Sequence, residues 1–271
     1  MGVLNLTPDS FSDGGWYLDV ERSVEHVAQM TAAGADIIDV GGESSRPGAE
    51  PVGAEEEMRR VVPVVERLAR GAPGGRALPV ISVDTTKAVV AERALAAGAR
   101  IVNDISALRF DSRMIDVVRE HGAGVVLMHM QGTPQIMQQN PQYDDVVRNV
   151  RDFLRERVAW AIEHGLEKSQ IAVDPGIGFG KTVDHNLQLL ANMEAFSEIG
   201  CPVVIGASRK MFIGKLLGSR EVAGRIWGSV AIAVWAAMNG AGVVRVHDVA
   251  ETADALRVID ALRKTKHGTD R

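Results

Sequence analysis

The residues able to do chemistry in this chain fall into three groups, each placed where a short apolar run ends. Asp84, Asn103 and Asp174 supply carboxylates and an amide. A carboxylate set against an aminopyrimidine edge accepts two N–H bonds, each charge-assisted bond contributing roughly 1.5–3 kcal/mol. This group therefore suits a planar heterocycle rich in N–H donors. Lys210, Arg245 and His247 supply cations. Alternate residues of a strand share one side, which puts Arg245 and His247 together as a two-pronged grip on an anion. Ser208 is placed to cap a helix whose free N–H groups add to that anion region. The third group is Gly41-Gly-Glu-Ser-Ser-Arg-Pro-Gly48, in which glycines allow close backbone approach and Arg46 offers a planar donor fork. Asn5 stands where the first apolar run meets a polar loop, and its amide oxygen is a hard donor suited to Mg²⁺. The expected site is acidic and amide-lined at depth, with cations at its rim.

The glycine-rich stretch Asp174-Pro-Gly-Ile-Gly-Phe-Gly-Lys181 invites two nucleotide-binding readings, and both fail. A phosphate-binding P-loop needs glycine where this chain has Pro175, and a dinucleotide fingerprint needs glycine where it has Lys181. The glycines instead give a tight path beneath a flat ligand. No His or Cys set has zinc-ligand spacing.

Residues this far apart must be gathered by a scaffold. Six helix-like stretches stop at a glycine: Gly34, Gly98, Gly122, Gly165, Gly200 and Gly240. Glycine takes the left-handed position that closes a helix. An apolar run follows each: Asp36–Val40, Ile101–Val102, Val125–Met128, Ile171–Val173, Val203–Ile205 and Val243–Val246. With Gly2–Leu6 and Val80–Val83 they make eight buried strands. Eight strands alternating with helices over 271 residues predict an α/β fold: a single (β/α)₈ TIM barrel over residues 1–271, with eight parallel strands and outer helices. The carboxyl ends of such strands converge on one mouth.

The helices show their own grammar. Asp19 is expected to cap the first, and Val20, Val24 and Val27 share its inner face. Glu55, Glu56 and Glu57 open the second and Arg67 and Arg70 close it, matching the helix dipole, while Pro63 should kink or break it. Tyr143–His164 is the longest candidate, with Val147, Val150, Leu154, Val158 and Ile162 as its apolar stripe, and Glu251–Lys264 is the last.

Composition narrows the function. Thirty-five acidic against 30 basic residues give a net charge of −5, which excludes a basic nucleic-acid coat. No run approaches the ~20 apolar residues of a membrane span, and with its early polar residues and no basic start the opening segment is not expected to act as a secretory leader. The single cysteine, Cys201, fits a small core residue in a reducing compartment, so a cytoplasmic enzyme is expected. The chain opens inside its first strand, whereas barrels usually plug their floor with preceding residues, so an upstream segment is expected.

With these motifs assembled, the chain resembles the dihydropteroate synthase family of the folate pathway. The likeness rests on Met1–Gly15, Gly41–Gly48, Ser82-Val-Asp-Thr85, Asn103-Asp-Ile105, Met128-His-Met-Gln-Gly132, Asp174–Lys181, Ser208-Arg-Lys210 and Arg245-Val-His-Asp248, in order and at almost every strand end. The resemblance implies condensation of 6-hydroxymethyl-7,8-dihydropterin diphosphate with 4-aminobenzoate, an SN1-like transfer that releases pyrophosphate. It implies that Asp84, Asn103, Asp174 and Lys210 hold the pterin, with Ile105, Met128 and Gly206 in the same substrate pocket. Asn5 would contribute to Mg²⁺ binding with the diphosphate, which Arg245 and His247 grip. Ser45, Arg46, Pro47, Phe179 and Ser208 would shape the aminobenzoate side. The implied catalytic set is Asp174, Lys210, Asn103, Arg245 and His247, and a homodimer packed through late helices is implied as well. Ser45 stands where many relatives have threonine, and the segment between Gly214 and Gly228 departs from the usual pattern. Sulfonamides imitate aminobenzoate, so changes at that pocket bear on drug discrimination. Two other readings stay open: a methyltransferase using a reduced folate, which has no use for Arg46, Lys210 or the Arg245/His247 pair, and a non-catalytic pterin-binding paralogue.

Overall fold

The computed structural model describes residues 1–6, 16–46, 48–71 and 79–266. Its strands are β1 (Gly2–Asn5), β2 (Ile37–Gly41), β3 (Val80–Asp84), β4 (Ile101–Asp104), β5 (Gly124–Met128), β6 (Ile171–Asp174), β7 (Val204–Ile205) and β8 (Val243–Val244). Between and after them run α1 (Trp16–Ala33), α2 (Ala54–Ala69), α3 (Ala88–Ala97), α4 (Met114–Glu120), α5 (Val146–Glu163), α6 (Val183–Ala191), α7 (Glu194–Ser197), α8 (Met211–Leu216), α9 (Ile226–Met238) and α10 (Val249–Lys266).

Strands β1 to β6 pair in chain order as one parallel sheet, and β7 pairs with β8. Two parallel bridges join the pieces, Val173 to Val203 and Val246 to Gly2. At the second, Val3 N–H donates to Val246 O (3.0 Å) and Val246 N–H to Met1 O (2.9 Å). Both edges of the sheet are thereby satisfied and the ring closes as a (β/α)₈ barrel.

All six helix-closing glycines have positive φ, from 58° at Gly122 to 124° at Gly98, a backbone state that L side chains resist. Strand residues then alternate. Ile38, Val40, Ile81, Val83, Val102, Val125, Leu127, Ile171 and Val173 join one apolar core with the helices. Asp39, Asp84, Asn103, Met128 and Asp174 fall on the other phase of the pleat, and that phase carries the polar lining. Register aligns them: Asn5 lies opposite Gly41, Gly41 opposite Asp84, Asp84 opposite Asn103, and Met128 opposite Asp174.

Some expectations need correction. Asp19 lies inside α1, which begins earlier, so it is not the cap. Pro63 neither ends nor divides α2; the helix runs on because Val61, Val64, Val65 and Leu68 are buried along its inner face, each worth roughly 1.5–3 kcal/mol. In α5 the inner stripe ends on Ala161 rather than Ile162, which is exposed, and Asp145 caps the helix through Arg148 N–H (2.9 Å). No described helix is long and apolar enough to cross a membrane.

Candidate active site

The floor of the barrel mouth is organised by Asp39, a fully buried carboxylate in mid-β2. Its Oδ2 accepts from Asn103 Nδ2 on β4 (2.9 Å) and from Arg245 Nε beyond β8 (2.6 Å). Arg245 also donates through Nη2 to Asp84 on β3 (2.8 Å). Four strands are thus tied through one guanidinium and one carboxylate. Burial raises the Asp84 carboxyl from its ordinary value, with Arg245 pulling the other way. The Asn103 amide donates to Asp39, which turns its carbonyl oxygen toward the opening as an acceptor for ligand N–H groups.

Asp174 closes β6. Its Oδ1 accepts from Gly176 N–H (2.6 Å), which holds the carboxylate at the entry of the glycine-rich turn. Burial raises its carboxyl as well, opposed first by Lys210. Lys210 lies across that turn: its ammonium donates to Ile177 O and sits 4.2 Å from the centre of the Phe179 ring. Burial lowers Lys210 to about 7, opposed by Asp174 and helped by Arg245. Gly178 makes this path possible, because a β-carbon there would lie 2.6 Å from Lys210 Cδ and the backbone has φ +81°. A β-carbon at Gly206 would lie 3.7 Å from Asp174 Oδ2 and 3.8 Å from Arg245, in van der Waals contact with both, so the bare glycine keeps a side chain out of the space between them. Met128, Met130 and Met137 form an apolar wall with Ile105 and Phe179 packed on it.

Cations and acids are therefore interleaved at depth, and the expected split between an acidic floor and a cationic rim does not hold. The reason is electrostatic. Asp39, Asp84 and Asp174 share a small, poorly solvated space, and buried charges persist there only when paired.

Beyond β7, Ser208 caps no helix, since α8 starts later and Lys210 occupies its N-cap. The Ser208 hydroxyl accepts from His247 N–H (3.1 Å) and sits 3.1 Å from His247 Nδ1, fixing the imidazole. Burial, together with Arg245 and Arg209, lowers His247 to about 4, so the resting imidazole is neutral near pH 7. Arg209 is turned away from the opening and donates through Nε and Nη2 to Asp248. His129, which follows β5, is also neutral: burial and Lys181 hold it at about 2, and Lys181 Nζ lies 3.0 Å from its Nδ1. That contact straps the glycine-rich turn to β5.

On the opposite side stands the segment after β2. Ser45 is half-buried and Arg46 exposed, on the segment that leaves the carboxyl end of β2. Pro47 and residues 7–15 of the first loop lie outside the described residues. Asn5, at the end of β1, is half-buried, and no hydrogen bond to its side chain occurs among the described residues. No group of three or more His, Cys, Asp or Glu suited to a metal occurs among the described residues.

A barrel with this lining can be compared with known proteins. The pterin binding enzyme family matches residues 1–247. The dihydropteroate synthase of Escherichia coli (strain K12) is 47% identical over 268 residues, spanning 98% of this chain and 92% of that protein. The chain belongs to the dihydropteroate synthase family. Among solved structures, Xanthomonas albilineans dihydropteroate synthase with 4-aminobenzoic acid superposes with a TM-score of 0.89 at 47% identity, covering 97% of this chain and 92% of that one. The same enzyme in complex with 7,8-dihydropteroate gives 0.86 at 45%, with the same coverage.

Against that family background, the structure brings Asp84, Asn103, Ile105, Met128, Asp174, Phe179, Gly206, Ser208, Lys210, Arg245 and His247 to one mouth. Asn5, Ser45 and Arg46 stand around its edge. Sequence reasoning missed Asp39, which orients two of these residues, although its place inside an apolar strand run was a readable signal. It placed Asp104 in the motif at the end of β4 but gave it no role. That buried carboxylate accepts from Ser106 N–H (2.7 Å) and Leu108 N–H (3.0 Å), and stabilises left-handed Ala107 and Leu108 just beyond Ile105.

Proposed function

We infer that this chain joins 6-hydroxymethyl-7,8-dihydropterin diphosphate to 4-aminobenzoate, giving 7,8-dihydropteroate and pyrophosphate. The observation that carries the reading is the meeting of Asp84, Asn103, Asp174, Lys210 and Arg245 at one barrel mouth in a member of this family. Asn103 Oδ1, Asp84 and Asp174 present acceptors to the N–H edge of the pterin, and Lys210 donates to its acceptors. Arg245 is fixed by two carboxylates and has Nη1 left to meet the diphosphate, with neutral His247 donating beside it.

The C–O bond to the diphosphate breaks with its electron pair leaving on oxygen, and the methylene carbon becomes cationic. Asp174 stabilises the charge spread into the ring. The aminobenzoate nitrogen then attacks that carbon and loses a proton, and Arg46 and Ser45 steer its carboxylate end. Aromatic amines are competent nucleophiles, so no strong general base is needed.

Mg²⁺ fits the donor set as a guest of the diphosphate: Asn5 offers one hard oxygen, and no multi-carboxylate cage exists among the described residues. When bound it would neutralise charge on the leaving group. The reading extends to one domain over residues 1–271, to a cytoplasmic location consistent with the buried free thiol of Cys201, and to a homodimer. For the dimer, α9 leaves Trp227, Trp235 and Met238 exposed as a surface for a second copy. The test is Mg²⁺-dependent pyrophosphate release from the pterin diphosphate with and without 4-aminobenzoate. Stoichiometric dihydropteroate formation is expected, and no release under either condition would leave only pterin binding.

A further inference from the structure

Lys87 belongs to none of the contacts above, yet it sits at a junction. It lies just after β3, where its own N–H donates to Thr85 Oγ1 (3.2 Å). Its ammonium donates to two carboxylates from different elements: Glu43, at the root of the segment carrying Ser45 and Arg46, and Glu57, fully buried in α2. Glu43 in turn accepts from Val52 N–H through Oε1 (3.2 Å), which closes the neck of that segment. Arg60 holds the adjoining backbone by donating to Gly42 O (2.9 Å). Gly42 itself is pressed onto α2, since a β-carbon there would lie 2.9 Å from Val61 Cγ2 and 3.0 Å from Glu57 Cγ. Among the described residues, the hydrogen bonds tying the 43–52 segment to the barrel run through this root, and Arg46 at its tip is exposed.

We propose that Lys87 is a positioning residue for the aminobenzoate half of the site: by clamping Glu43 against buried Glu57 it fixes the loop that presents Ser45 and Arg46. The proposal rests on the functional reading above and assigns Lys87 no contact with either substrate. The energetics favour a clamp over an incidental surface pair. Burial raises the Glu57 carboxyl and Lys87 pulls it back, so the ion pair is what allows a charge at that depth. One buried anchor then holds a loop end that an exposed pair would hold weakly.

The test must separate loop positioning from stability, because Lys87→Met leaves Glu57 without its cation. The double variant Lys87→Met/Glu57→Gln removes that orphaned charge while leaving the loop untied. Both variants should raise KM for 4-aminobenzoate about tenfold and leave affinity for 6-hydroxymethylpterin within about twofold, since a loop misplaced by about an ångström loses its own ligand first. The Val52 amide should exchange with deuterium about tenfold faster in both variants, as a local opening and not a global one. Thermal unfolding should recover in the double variant while KM stays high. If KM returns to the wild-type value together with Tm, or if pterin affinity falls in step with KM, Lys87 is a stability residue and the proposal fails. A wild-type chain without aminobenzoate turnover would sink the functional reading, and exchange at Val52 would still decide whether Lys87 clamps the loop.

Discussion

The floor of the mouth and the loop at its edge are built on different principles. On the floor, Asp39, Asn103, Arg245 and Asp84 bond one another across four strands, so each side chain has one available direction. At the edge, Arg46 is exposed and its segment is held mainly at the root, through Glu43 and Gly42. The contrast maps onto the two halves of the reaction. On the proposed reading the pterin meets a preset surface, which saves reorganisation when charge develops, while the amine meets a segment held at its root and exposed at its tip.

The largest effects should come from breaking the floor. Arg245→Met strips the partner from Asp39 and Asp84, and leaving buried carboxylates unpaired should cost ~3–5 kcal/mol of stability. Arg46→Ala should move stability by no more than about 0.5 kcal/mol. Urea unfolding of the two variants measures the difference, and similar values would dissolve the comparison.

Chemistry comes next. Asp174→Ala should lower kcat/KM roughly 30- to 1000-fold, the equivalent of ~2–4 kcal/mol of transition-state binding. A change under about threefold in steady-state assays would remove Asp174 from its role.

A glycine pair sharpens the same contrast at smaller scale. Gly178 and Gly48 share similar backbone, φ +81° and +79°, but only Gly178 has a neighbour in the way, Lys210. Gly178→Ala should weaken pterin binding by ~1–3 kcal/mol by displacing Lys210, against ~1 kcal/mol of backbone strain alone at Gly48→Ala, with no loss of pterin affinity. Calorimetry on both variants checks this.

The smallest effect is that of pH. Lys210, lowered to about 7, carries its charge below that value and loses it above. Pterin affinity should therefore weaken a few-fold as pH rises from about 6 to about 8.5, and Lys210→Met should flatten the profile.

Much of this was legible in the sequence because it depends on local rules. Glycines at helix ends and apolar runs after them define strands, and the strand ends name Asp84, Asn103, Asp174 and Arg245. What the sequence hid depends on tertiary pairing. Asp39 reads as one polar residue in an apolar run until Asn103 and Arg245 are seen to share its Oδ2. Ser208 reads as a helix cap by residue type, but the backbone turns at left-handed Arg209 and sends the hydroxyl to His247. Arg209 stands beside Lys210 in the sequence, yet its guanidinium is spent on Asp248 and not on the opening. The expected rim of cations failed for the same reason: pairing buried charge is a three-dimensional requirement that spacing along a chain does not reveal.

The most direct test is calorimetric titration of 6-hydroxymethyl-7,8-dihydropterin into Arg46→Ala and Asp174→Asn side by side. The floor-and-edge account predicts that Arg46→Ala binds within about twofold of wild type while Asp174→Asn loses at least about tenfold, the scale of one charge-assisted bond. Equal losses in both variants, or a loss confined to Arg46→Ala, would contradict it.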